Sequence, residues 1–178
     1  FAGLVKADPD EIAVTTSLSA GVSALASGLR YARRSKIVTT ELEFPTVGQI
    51  WHAQESRGAR VVHVPLDQFK REIDDDTAVV SITHVSYRTG EMIDVQEVVR
   101  LAHERGGLAV HDLGGGALLD FESFGLRGET TVQASVRAGF DVVCFSTDKA
   151  LGGPQGGALV GAEAPIERAR KDPLTRAL

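Results

Sequence analysis

The stretch DVQEVVRLAHERGGLAVHDLGGG, residues 94–116, sets the pattern for the whole chain. Val95, Val98, Val99, Leu101 and Ala102 fall largely on one face at helical spacing, Asp94 stands where an N-cap belongs and Gly106 where a helix stops. The helix gives way to LAVHD (108–112), a short apolar run with a carboxylate at its exit, and then to three glycines. A helix, a buried strand and a glycine turn in immediate succession form part of a strand–helix–strand crossover.

The same alternation extends in both directions. Short β-branched apolar runs recur at 12–16, 36–40, 60–65, 78–83, 108–112, 141–146 and 158–161, and most lack strict apolar/polar alternation. Continuous apolar strands belong in a parallel sheet covered on both faces. Helical patterns are expected at about 19–30, 45–58 and 132–138, besides the one that begins at Asp94. The fold class predicted is α/β: a three-layer αβα arrangement around a mostly parallel seven-stranded sheet, with binding residues at the carboxyl ends of the strands. No repeat or Pro/Ser linker divides the chain, so residues 1–178 are expected to form one unit.

Composition agrees. In 178 residues, 24 acidic and 19 basic side chains give a formal charge of −5, with 43% hydrophobic and 24% charged residues, which excludes disordered and collagen-like chains. The 19 glycines fall at the ends of apolar runs rather than in a low-complexity tract. One cysteine, Cys144, permits no internal disulfide and makes a structural zinc site improbable; the five histidines show no close ligand spacing. No apolar run approaches the ~18 residues of a membrane span, and the N-terminus lacks signal-peptide character, so a cytoplasmic setting is expected. The acidic balance argues against a nucleic-acid surface, and the local basic patch of Arg30, Arg33, Arg34 and Lys36 reads as a solvated face.

Three strand ends carry chemistry. TTSLSAG (15–21) opens a helix whose first amides are free to receive a phosphate or simply a cap. Asp112 ends a buried strand, and burial of a carboxylate calls for a cation or strong donor within reach. Lys149, in FSTDKALGGPQGG (145–157), follows another buried strand by three residues and precedes a loop with four glycines. In a desolvated setting such a lysine can form an imine with a carbonyl. A carboxylate for a pyridinium nitrogen and an imine-forming lysine are the two groups that pyridoxal phosphate requires of its protein.

With these residues in place, the sequence resembles the pyridoxal-phosphate enzymes of the aspartate-aminotransferase fold, fold type I. Residues 1–112 resemble the class V aminotransferase, cysteine desulfurase and kynureninase group through TTSLS (15–19), ELEFPT (41–46) and HVSYRTG (84–90). Residues 112–178 resemble L-seryl-tRNA(Sec) selenium transferase through DLGGG (112–116), FGL (124–126), FSTDKALGGPQ (145–155) and DPLTRAL (172–178). The resemblance implies the large-domain fold and a pyridoxal 5′-phosphate cofactor. It makes Lys149 and Asp112 the catalytic pair, with Lys149 bonded to the cofactor and Asp112 facing the ring nitrogen. Leu18, Ser19 and Ser146 become phosphate ligands, Phe44 a stacking residue and Arg88 a candidate for the substrate carboxylate. It also implies a small amino-acid substrate, a homodimer or higher oligomer, and lyase or transferase chemistry. Cys144 lies within a predicted buried strand and does not match the mobile desulfurase cysteine. A C-terminal small domain and a tRNA-binding region, both features of the resembled enzymes, are expected to be absent from these 178 residues. Two alternatives stand beside this reading. One is a nucleotide-binding α/β domain using the glycines at 114–116 or 152–157, although neither loop has a phosphate-loop spacing. The other is a catalytically silent α/β scaffold.

Overall fold

The computed structural model describes residues 1–176, so the last two residues of the DPLTRAL stretch lie outside the described part. Seven strands form one sheet: β1 (Ile12–Thr15), β2 (Lys36–Thr40), β3 (Arg60–Val64), β4 (Thr77–Thr83), β5 (Leu108–Gly114), β6 (Val142–Ser146) and β7 (Gly157–Gly161). Their spatial order is β1-β7-β6-β5-β4-β2-β3, parallel throughout except for β7, which runs antiparallel to both neighbours. Each sequence-predicted strand is present within two residues of its expected bounds. The helices are α1 (Ala2–Val5), α2 (Leu18–Gly28), α3 (Pro45–His52), α4 (Val95–Glu104), α5 (Val132–Arg137), α6 (Glu163–Lys171) and α7 (Pro173–Arg176).

Residue parity sorts the strands onto two cores. Val38, Val80, Ala109, Val143, Phe145 and Val160 point to the face covered by α4 and α5, where Val98, Val99, Ala102 and Val132 meet them. Ile37, Val79, Val110, Val142, Cys144 and Leu159 point to the opposite face, against Val22 and Leu25 of α2, Val47 and Trp51 of α3, and Ile166 and Ala169 of α6. This is the period of two expected of strands covered on both sides, and it makes the three layers.

Two local readings change. The helix expected over 45–58 is α-helical only to His52 and then tightens into a 3₁₀ turn, Ala53–Arg57, stopped by Gly58 at φ +96°. Lys36 does not belong to a solvated basic patch: it is 3% exposed at the start of β2, and its ammonium pairs with Asp74 at 2.5 Å. Desolvation makes that partner obligatory, because an unpaired buried ammonium is far more costly than a surface one.

Candidate active site

The carboxyl ends of β1, β4, β5 and β6 converge on a cavity of about 280 Å³ between the N-termini of α2 and α3, lined by Leu18, Ser19, Phe44, Asp112, Ser146 and Lys149 among others. All six residues that the resemblance assigned to cofactor binding therefore meet in one place. The alternation of the strands explains the convergence. Asp112 has the parity of Val110, and Ser146 that of Cys144, so both side chains lie on the α2/α3 face of the sheet.

At one wall, the Ser17 hydroxyl caps α2 by accepting the Ala20 amide at 3.1 Å. The amides of Leu18 and Ser19, in the first turn, have no intrahelical acceptor and are open to an anion, which the helix dipole favours. Gly157 keeps this wall in place. A Cβ there would lie 2.3 Å from the Ser17 carbonyl carbon and 2.4 Å from the Leu18 nitrogen, so only glycine lets β7 pass beneath the start of α2.

Asp112 forms the floor. It is 6% exposed, and its Oδ1 has no hydrogen-bond partner. Burial, reinforced by the negative charge of Glu43, pushes its carboxyl up to about 7, with the Gly114 amide and Lys149 pulling weakly the other way. A buried oxygen without a partner, at the base of an open cavity, is a site for a cationic donor.

Glu43 was not singled out as a functional residue by sequence. It is buried and lies between β2 and α3, where its Oε1 accepts from the Phe44 amide at 2.9 Å and from the Thr83 hydroxyl. Its Oε2 accepts from the hydroxyls of Thr39 and Ser81, each at 3.3 Å. Burial raises its carboxyl, and these four donors, Thr83 most strongly, offset only part of that effect. Thr83 is the register partner of Asp112 on the adjacent strand, so the two carboxylates flank it. The donors come from three separate segments, and no spacing in the sequence links them.

The rim is more open than expected. Lys149 lies in the bend after β6 with its side chain exposed rather than desolvated by this chain. Phe44 is 45% exposed and makes an edge-to-face contact with Tyr87, ring centroids 5.4 Å apart, so Tyr87 joins the expected aromatic at the cavity mouth. Arg88 is exposed in the turn that follows and does not line the cavity, whereas Val85 and Tyr87 do. His84 is half-buried and shares a 2.9 Å hydrogen bond with Thr130. Cys144 is wholly buried and its thiol is pushed up by burial, which leaves it no nucleophilic character.

These residues fit pyridoxal phosphate: an orphaned buried oxygen for a ring N–H, free helix-terminal amides with two serine hydroxyls for a phosphate, an aromatic for a ring face, and an accessible lysine.

Comparison with known proteins gives the same direction. Over its full length the chain superimposes on a methionine gamma lyase from Micromonospora echinospora, with a TM-score of 0.75 and 26% identity, covering 99% of this chain and 45% of that one. A cysteine desulfurase from Thermococcus onnurineus NA1 shares the fold, with a TM-score of 0.70 and 24% identity over 91% of this chain and 40% of its own. The L-seryl-tRNA(Sec) selenium transferase of Carboxydothermus hydrogenoformans is 34% identical over 182 aligned positions, 95% of this chain and 38% of the relative. That of Alkaliphilus metalliredigens is 43% identical over 114, 62% of this chain and 24% of the relative. The chain thus spans about a quarter to two fifths of the length of these relatives. The resemblance to this group extends well before residue 112, since the family model for L-seryl-tRNA selenium transferase (SelA) matches residues 60–178. The chain belongs to the L-seryl-tRNA selenium transferase family.

Proposed function

We propose that residues 1–178 form the cofactor-binding core of a pyridoxal-phosphate-dependent transferase that acts on a seryl group, as the names of its relatives specify for them. The observation that carries this reading is the orphaned Oδ1 of Asp112 at the floor of a cavity also lined by Lys149, Ser19 and Ser146. When bound, pyridoxal phosphate supplies an electron sink for the substrate carbon that loses a proton. The chain's residues do the rest. Asp112 accepts the ring N–H and balances its charge. The Leu18 and Ser19 amides and the Ser19 and Ser146 hydroxyls hold the phosphate, and Phe44 covers one face of the ring. Lys149 would hold the cofactor, and its amine would move the α-proton. Arg88 lies outside the cavity, so a role with the substrate carboxylate requires movement of the turn that carries it. The proposal includes a cytoplasmic homo-oligomer, in which a neighbouring chain helps to complete the open rim.

A carbon–sulfur lyase acting on a small amino acid is the second reading, favoured by the full-length match to methionine gamma lyase. One experiment tests the shared part. The chain with pyridoxal phosphate should develop a visible absorbance band, and borohydride should fix the label to Lys149 in a peptide map. Label on Lys6, Lys70 or Lys171 in preference to Lys149 refutes the assignment. Release of thiol from methionine or cysteine by the labelled-competent chain, with no chemistry on seryl substrates, selects the lyase.

A further inference from the structure

Two carboxylates, Glu43 and Asp112, lie buried on the same side of the sheet, and they are treated in opposite ways. An ionised carboxylate offers about four acceptor positions and no donor. Glu43 has all four filled: two donors reach Oε1 and two reach Oε2. Three of these are hydroxyls and the fourth is the Phe44 amide, which can only donate. Asp112 has no such shell, and its Oδ1 is unpartnered. Among the described residues neither carboxylate has an ion-pair partner: the one cation that acts on Asp112 is Lys149, and weakly. The neutral thiol of Cys144 lies opposite Asp112 on β6, Tyr87 lines the cavity mouth, and Tyr31 lies buried in the core of the same face. His111, next in sequence, points to the other face, and the α2 wall presents only Leu18 and Ser19.

We propose that Glu43 is a positioning residue for the cation that Asp112 receives: a buried carboxylate, its charged form favoured by its four donors, that acts through Asp112 to keep one proton on the pair formed by Asp112 and the ring nitrogen. The inference rests on the pyridoxal-phosphate reading above. The donor count assigns the charges. In the cofactor-free chain four donors favour the negative charge on Glu43, whereas Asp112 has only the Gly114 amide and an unpartnered Oδ1, so the proton resides on Asp112. When a neutral ring nitrogen arrives, Asp112 passes that proton to it and becomes the anion, while Glu43 is unchanged. Charge is conserved: one proton leaves an Asp112 oxygen and forms the ring N–H. Glu43 then disfavours any further loss of that proton to solvent, because the loss would leave two adjacent buried anions uncompensated.

The test is Glu43→Gln, which the shell accommodates: the amide oxygen accepts from Phe44 and Thr83, and the Thr39 and Ser81 hydroxyls rotate to accept from the amide NH₂. In the cofactor-free chain with carboxyl-¹³C aspartate, the Asp112 resonance, assigned by its loss in Asp112→Asn, should titrate at least about one pH unit lower in Glu43→Gln than in the native chain. Binding gives a second readout. The native chain should prefer pyridoxal phosphate to the analogue with carbon in place of the ring nitrogen, and Glu43→Gln should reduce that preference about tenfold. If circular dichroism shows that Glu43→Gln does not fold, Thr83→Val removes one donor, weakens the charge on Glu43 and should lower the Asp112 titration in the same sense. An unmoved titration together with an unmoved preference overturns the proposal while leaving the cofactor reading intact. A native chain that takes up no pyridoxal phosphate overturns the cofactor reading, and the titration alone then decides whether Glu43 controls Asp112.

Discussion

Asp112→Asn in the cofactor-free chain offers a quantitative check on the cavity floor. The folded chain holds the Asp112 proton up to about pH 7, whereas an unperturbed aspartate releases it near 3.8. Through that window the native state binds more protons than the unfolded state, so stability falls as pH rises and the loss is complete above pH 7. At about 1.4 kcal/mol per pH unit the penalty amounts to roughly 4 kcal/mol, a large share of the 5–15 kcal/mol typical of a domain. Asparagine has no proton to lose and escapes the penalty. Urea unfolding of both chains from pH 5 to pH 8 should therefore show the difference in stability moving by about 3 kcal/mol in favour of Asp112→Asn. Saturating pyridoxal phosphate at pH 8 should stabilise the native chain more than the mutant, because a ring N–H gives the aspartate its missing partner. A difference that stays constant across that pH range would show that Asp112 is not held protonated by burial, and the reasoning for a cationic ligand would fail with it.

Two further perturbations address the walls. Gly157→Ala forces a Cβ into the Ser17–Leu18 peptide and should displace the start of α2, weakening pyridoxal phosphate at least about tenfold in a spectroscopic titration. Phe44→Ala removes a half-exposed ring and should weaken cofactor binding while changing urea stability by less than about 1 kcal/mol; equal cofactor affinity in mutant and native chains would leave Phe44 with no role in holding the ring.

What the sequence disclosed was local. All seven strands were readable because each is a short β-branched run bounded by turn residues, and Asp112 and Lys149 were readable because each follows such a run. α6 escaped because its buried stripe is only Pro165, Ile166 and Ala169, with charged residues between them, too narrow for the helical period to stand out. The burial of Lys36 escaped because its partner Asp74 is 38 residues away. Glu43 escaped as a functional residue for the same reason, since its shell is assembled from β2, β4 and its own loop. Tyr87 reads as an ordinary loop aromatic until its ring is found against Phe44.

His111 and Asp112 show why a buried polar residue is not by itself a site. They are neighbours at the end of β5, both are at least nine-tenths buried, and both have polar atoms without partners. Strand parity sends them to opposite faces. His111 lies against Phe140, ring centroids 4.7 Å apart, and edge-on to His84, and burial pushes its imidazole down to about 3, so it stays neutral at any physiological pH and packs as an aromatic. Its neutrality removes the cost of a buried charge and leaves the smaller one of unpaired ring nitrogens. Asp112 has no comparable escape: its charge returns at neutral pH, and its open oxygen faces a cavity rather than a core. The requirement for a charged partner therefore persists at Asp112 and is absent at His111. That difference, set by one step along a strand, makes the aspartate and not the histidine the group that calls for a ligand.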